Sequence, residues 1–234
     1  RFVMKILILS DAQSIHTKRW VSSLLGRGIK VVLFTIKPES DNFYSEIGVK
    51  VYTFDLFAYK NHSGILSLFK SISAHLKAVS YLKHVIKQET PDILHAHYAT
   101  SYGLIAALSS FTPFFLSVWG SDVYEFPYKS KINRLAVKYI LRRANYITST
   151  SRAMALQTSK FTTKNIEVIP FGVNTDHFND TPEFKDGRFV IGTVKTLSHY
   201  YGIDLLFRSY KLFSEANPGI DSVLGVVGDG PDRE

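Results

Sequence analysis

Two kinds of apolar run alternate along this chain. "MKILILS" (residues 4–10), "IKVVLFTI" (29–36), "VKVYTF" (49–54), "DILHAH" (92–97), "FFLSV" (114–118), "YITST" (146–150) and "IEVI" (166–169) are short and rich in β-branched or aromatic residues. The most apolar of them lack polar alternation, as strands covered on both faces do. Between them run helical patterns. From about Ile15 onward, Trp20, Val21, Leu24 and Leu25 fall on one side, and Gly28 ends the run. Residues 64–88 place Ile65, Ile72, Leu76, Val79, Leu82 and Ile86 on one face. Further helices are expected over 102–109, 131–143 and 152–160.

The texture then changes. Residues 170–187 hold prolines, glycines and aspartates without a period, which reads as a linker stretch. The alternation restarts with a strand "FVIGTV" (189–194), a helix over 203–216 and a strand "VLGVV" (223–227). Repeated strand–helix alternation implies a parallel sheet covered on both faces. The expected fold is therefore α/β: a Rossmann-like parallel sheet over 4–178, a linker over 179–187, and an incomplete second Rossmann-like unit over 188–234. That last unit has too few elements to bury a core of its own.

Composition narrows the function classes. No cysteine is present among the 234 residues, so disulfides and thiol chemistry are excluded. The residues before Met4 form no signal peptide, because the apolar run 6–9 is too short. The charge-free stretch "GLIAALSSFTPFFLSVW" (103–119) is shorter than the roughly 20 residues a span needs, and Pro113 interrupts it. It reads as a helix, a proline turn and a buried strand.

The net charge of +8 favours anionic partners. Nine lysines and arginines and no acidic residue fall between Phe126 and Ile166. Lys131, Arg134, Lys138 and Arg142 follow helical spacing. The 64–88 helix adds Lys70, Lys77, Lys83 and Lys87, again without acids. Basic amphipathic helices suit an anionic membrane surface, or are simply solvated faces. No nucleic-acid-binding motif accompanies the charge, so no nucleic-acid partner is expected.

In open parallel sheets, ligands bind beyond the carboxyl ends of the strands. The first such end, "SDAQSIHTKR", lacks a dinucleotide-binding glycine fingerprint. It offers Asp11, Gln13, Ser14, His16, Thr17 and Lys18 around a helix start, where backbone N–H groups can hold a phosphate or a sugar hydroxyl. Ser14 alternatively serves as a plain helix cap. At "HAHYATSYG", His95 and His97 are expected on opposite faces of their strand, which argues against one metal shared by both. His97 is the candidate catalytic residue, with Tyr98 just beyond it. At "WGSDVY", Gly120 permits close approach, and Ser121 and Asp122 suit sugar hydroxyls. In the second unit, Lys195 ends a strand near a helix start and could clamp a diphosphate. The turn "VVGDGPD", with Gly228, Asp229 and Gly230, has room for a base or ribose.

Taken in order, five passages resemble the family 4 (group 1) retaining glycosyltransferases of GT-B architecture. They are "MKILILSDAQSIHTKRWVSSLLGRGIKV" (4–31), "PDILHAHYATSYG" (91–103), "VIPFGVNTDHF" (168–178), "VKTLSHYYGIDLLFRSY" (194–210) and "VVGDGPDRE" (226–234). The third is the most specific. The resemblance implies two Rossmann-like domains, the first binding the acceptor and the second a nucleoside-diphosphate sugar as substrate. It implies transfer with retention and no metal or cofactor. Lys195 falls at the family's phosphate-binding basic pair. The second basic position falls near Tyr200 or Tyr201, with His199 as a substitute.

Trp119 stands where the family usually has a histidine, and could stack on a sugar ring. The first loop lacks the family's frequent glycine pair. Ser14, His16, His97, Tyr98, Gly120 and Asp122 would line the acceptor side. The implied partners are a nucleotide-sugar donor and a glycan or lipid-linked acceptor, with work on surface polysaccharide at the cytoplasmic face of the membrane. The family's downstream paired glutamates are not in these residues, so this chain alone is expected to transfer no sugar. The alternatives are a non-catalytic sugar- or nucleotide-binding half-protein, or another GT-B enzyme such as a nucleotide-sugar epimerase.

Overall fold

The computed structural model describes residues 3–56, 58, 65–176, 178 and 187–233, with side chains left out over 65–71. The chain forms two compact units, residues 1–172 and 173–234. The division comes before the expected boundary at 178. The expected linker 179–187 lies outside the described residues except for Gly187, and the Lys70 side chain lies outside them too.

The first unit holds seven strands: β1 (Lys5–Leu9), β2 (Lys30–Thr35), β3 (Lys50–Thr53), β4 (Ile93–His97), β5 (Phe114–Val118), β6 (Tyr146–Ser149) and β7 (Ile166–Val168). They pair in the order β3-β2-β1-β4-β5-β6-β7, every neighbour parallel. The helices are α1 (Ile15–Leu25), α2 (Phe43–Glu46), α3 (Ile65–Glu89), α4 (Ser101–Ser109), α5 (Ser121–Tyr124), α6 (Phe126–Lys129), α7 (Lys131–Arg143) and α8 (Arg152–Thr158). The Rossmann-like α/β fold is as the alternation predicts. The single turns α2, α5 and α6 were not predicted, being too short to show a period.

Alternate strand residues feed two cores. Leu7, Leu9, Val32, Phe34, Leu94 and Ala96 pack under α3 and α4 on one face. Ile6, Ile8, Val31 and Leu33 pack against Val21 of α1 and Tyr44 on the other. This is the two-residue strand period at work. In α3 the buried stripe differs from the expected one. Ile72 and Leu76 are exposed, while Ala74, Ala78, Val79, Leu82 and Val85 are buried. Two alanines let the helix approach its neighbours closely, and bulkier residues would hold it off. Residues 103–119 fold as α4, a turn with a cis Thr112–Pro113 peptide, and β5. Among the described residues no helix is long and apolar enough to cross a membrane.

The second unit holds β8 (Phe189–Val194), α9 (Ile203–Ala216) and β9 (Ser222–Val227), with the two strands parallel. None of its described residues is buried. Val194, Leu205, Leu212 and Val227 are more than half exposed. Among the described residues this unit shows no buried core, in keeping with its small number of elements.

Candidate functional site

The site is built at the carboxyl ends of β1, β4 and β5, where the turns leave the sheet. His95 and His97 share one face of β4, with ring centroids 4.6 Å apart. The opposite-face expectation is overturned, because residues i and i+2 of a strand point the same way. Their spacing is therefore no argument about metal. Among the described residues, no group of three or more His, Asp or Glu side chains is placed to hold an ion.

Both histidines lie under α1. His97 Nδ1 is 3.1 Å from Ser10 Oγ, which lies 2.7 Å from Thr17 Oγ1. His95 Nε2 is 2.8 Å from Ser117 Oγ, which lies 2.7 Å from Thr148 Oγ1. Trp20 stands 5.4 Å from the His95 ring and 5.6 Å from the His97 ring. Trp119 covers His97 at 4.7 Å. Burial pushes His95 down to about 4, and burial together with His95 holds His97 well below the ordinary value. Both rings are therefore neutral at physiological pH. His97 Nε2 is buried and makes no hydrogen bond. An orphaned buried nitrogen of this kind is uncommon and marks a functional candidate.

Asp122 shapes the two turns from beneath. It is fully buried. Its Oδ1 accepts from the Gly120 amide at 2.7 Å and the Trp119 amide at 3.2 Å, and its Oδ2 accepts from the Ala99 amide at 2.8 Å. It thus ties the turn after β4 to the turn after β5. This corrects the expectation that Asp122 contacts sugar hydroxyls, since its oxygens are committed to the backbone. Burial raises its carboxyl above the ordinary value, and the three amides oppose that rise. Gly120 has φ of +150° and ψ of −98°, a conformation that favours glycine. Tyr98 has φ of +74°, an uncommon conformation for a side-chain-bearing residue, and its hydroxyl bonds Ser121. Backbone strain of this sort gathers at functional turns.

Above these turns lies a cavity of about 450 Å³. Ser14, His97, Tyr98 and Trp119, four residues the sequence reading assigns to the acceptor side, line it together. Ser14 holds the N-cap position of α1, but its side chain makes no capping bond, so the hydroxyl is not spent on the helix. Gly120 and Asp122 do not line the cavity. Nor does His16, which stacks on Phe171 at 3.7 Å and meets Trp119 edge-on at 5.8 Å. Lys37, His75 and Tyr102 also line it. Sequence reasoning missed these three. Lys37 follows the end of β2 and was open to the strand-end rule, whereas His75 comes from the middle of α3 and carried no signal. Lys37 pairs with Asp11 at 2.6 Å.

In the second unit the glycine turn after β9 is filled by the chain itself. A Cβ on Gly228 would stand 1.9 Å from the Lys195 carbonyl oxygen, and one on Gly230 would stand 2.2 Å from that of Leu197. The expected room for a base or ribose beside these glycines is occupied by backbone. Gly228→Ala is therefore expected to disrupt this loop, read as accelerated amide exchange over 195–202. Unchanged exchange would contradict the packing argument. Lys195 lies exposed with its ammonium 4.3 Å from the centre of the Tyr201 ring. His199 is exposed, 3.6 Å from Asp204. Asp229 accepts from the Gly230 amide at 2.9 Å.

The basic stripe of α7 also carries apolar side chains. Ile132 and Leu135 are 78% and 66% exposed beside Lys131, Arg134 and Lys138, all exposed.

Comparison with known proteins assigns the chain to a family. Residues 5–151 match the model of the family described as "Glycosyl transferase 4-like". The teichuronic acid biosynthesis glycosyltransferase TuaC of Bacillus subtilis (strain 168), so named, is 31% identical over 169 residues, covering 67% of this chain and 43% of its own. Among solved structures, Anabaena Alr3699/HepE in complex with UDP and glucose superposes with TM-score 0.65 at 16% identity, covering 97% of this chain and 61% of that one. A Listeria monocytogenes protein described as a UDP-N-acetylglucosamine 2-epimerase superposes at 0.58 and 13% identity, covering 96% and 62%. Such distant likenesses show the GT-B fold alone. The chain spans under half the length of TuaC. On the family match, the chain belongs to the glycosyl transferase 4-like family.

Proposed function

We propose that the protein is a retaining glycosyltransferase. It moves a sugar from a nucleoside-diphosphate donor to a glycan or lipid-linked acceptor, without a metal, in surface polysaccharide synthesis. The observation that carries this reading is the cavity around His97 and Trp119, at the strand ends where open parallel sheets bind ligands. Neutral His97, with an unpartnered Nε2, can exchange a hydrogen bond with an acceptor hydroxyl. Trp119 offers a ring face to a sugar. Asp122 acts as a positioning residue by fixing the backbone under both. UDP in the HepE complex and the teichuronic acid named for TuaC support the donor class and the polysaccharide role.

In the reaction the bond from the anomeric carbon to the diphosphate oxygen breaks, and a bond to the acceptor oxygen forms on the same face. The departing phosphate takes the acceptor's proton. Lys195, with helix and loop N–H groups, would stabilise the charge that develops on that phosphate. No protein nucleophile is needed. The test is transfer by protein expressed from its whole reading frame, with a panel of nucleotide sugars, in EDTA, with product anomeric configuration read by NMR. Retention in EDTA supports the reading. Inversion, or activity abolished by EDTA and restored by a divalent ion, overturns it.

The protein would act at the inner membrane face, docked through α7. Ile132 and Leu135 would enter the interface while the lysines and arginines meet anionic headgroups. Ile132→Asp with Leu135→Asp is expected to lower sedimentation with anionic vesicles at least about tenfold, at roughly 1.4 kcal/mol per factor of ten. Equal binding to neutral vesicles contradicts the docking.

A further inference from the structure

A second concavity, of about 370 Å³, lies on the far side of the same aromatic cluster. His16, Arg19, Trp20 and Ser23 of α1 line it together with Arg27, which follows the Gly26 C-cap of that helix, and Phe171. α1 supplies Arg19, and the turn that follows the helix supplies Arg27. No carboxylate lines the cleft. Neither arginine pairs with a carboxylate among the described residues. Arg27 Nη1 donates to the Ser23 carbonyl at 3.0 Å and also bonds the Ser23 hydroxyl, which fixes its fork while leaving other N–H donors unused. His16 Nδ1 is buried without a partner. Two arginines without a carboxylate partner, in a cleft also lined by Trp20 and Phe171, suit a phosphate group.

We propose that this cleft binds a phosphate ester or diphosphate group, at a site distinct from the cavity around His97. The ligand's phosphate lies between Arg19 and Arg27, and its body lies against Trp20 and the His16–Phe171 stack. Because Trp20 also touches His97, and His16 touches Trp119, occupancy here bears directly on the residues that line the other cavity.

The protein has two tryptophans, Trp20 and Trp119. Trp119→Phe therefore leaves Trp20 as the single fluorescent reporter of this cleft. At constant ionic strength, pyrophosphate is expected to change its emission saturably. Vesicles of phosphatidylcholine with phosphatidic acid test for a lipid source of the same phosphate chemistry, against pure phosphatidylcholine. Arg19→Ala with Arg27→Ala is expected to weaken the response about tenfold or more, given the strength of charge-assisted bonds. Arg19→Lys with Arg27→Lys should recover part of it, and circular dichroism checks that each variant folds. The response is expected to persist in Lys195→Ala, which separates this cleft from the proposed donor loop. The proposal is overturned if neither probe gives a saturable change, if the double alanine variant responds as the parent does, or if Lys195→Ala abolishes the response.

Discussion

Lowering the pH from 7 to 5 is expected to remove about 2 kcal/mol or more from the stability of the first unit, through His95, with His97 acting in the same direction. His95 and His97 ionise in the unfolded chain near 6.5, but burial keeps both neutral in the fold, His95 down to about 4. Below 6.5 the unfolded chain binds protons that the folded chain refuses. Stability is therefore complete above 6.5, is lost as the pH falls, and levels off only beneath the folded values. Each histidine that stays neutral to pH 5 contributes about 2 kcal/mol to that loss. His16, lowered by burial and by Arg19, acts in the same direction. Urea unfolding followed by tryptophan emission reads this unit, since Trp20 and Trp119 both lie in it. The midpoint should drop between pH 7 and 5, and His97→Gln should make the drop smaller. A midpoint independent of pH would contradict the buried, neutral assignment.

Asp122→Ala is expected to destabilise the same unit by about 3–5 kcal/mol, the cost of stranding buried partners of a charged group. Three backbone amides, those of Ala99, Trp119 and Gly120, lose their acceptor. The loss extends beyond stability, because those amides hold the turns that carry Tyr98 and Trp119. Asp122→Asn keeps one carbonyl oxygen but turns an amine toward the other donors, so an intermediate effect is expected. Thermal melts of the three proteins check the order. Equal melting of the alanine variant and the parent would contradict the clamp.

The fold was legible because its strands are continuously apolar and its longer helices have a clear period. "MKILILS" and "DILHAH" became adjacent central strands β1 and β4. The site was legible as a region, since the strand-end rule brought out Ser14, His97 and Tyr98 and the family resemblance added Trp119, and the four share a cavity. Contacts were not. Asp122 has the right chemistry for a sugar, yet only coordinates reveal the three amides it already serves. Gly228 and Gly230 have the look of room made for a ligand, yet the room is taken by residues 195–197. Ile72 and Leu76 have the period of a buried stripe, but packing selects the alanine side of α3 instead. The pairing of His95 with His97 followed from strand geometry and was misjudged. At the Gly228–Gly230 turn and at the Ala99 amide the residue type was visible and its partner was not, because that partner comes from a distant part of the chain.

The central claim is that the cavity around His97 and Trp119 receives the acceptor. Trp119→Ala, in protein expressed from the whole reading frame, tests it through steady-state kinetics with both substrates varied. The account predicts an acceptor KM roughly 5- to 30-fold higher, the loss of one stacked ring at roughly 1–2 kcal/mol, with the donor KM unchanged. A raised donor KM with an unchanged acceptor KM would contradict it and place the donor in this cavity.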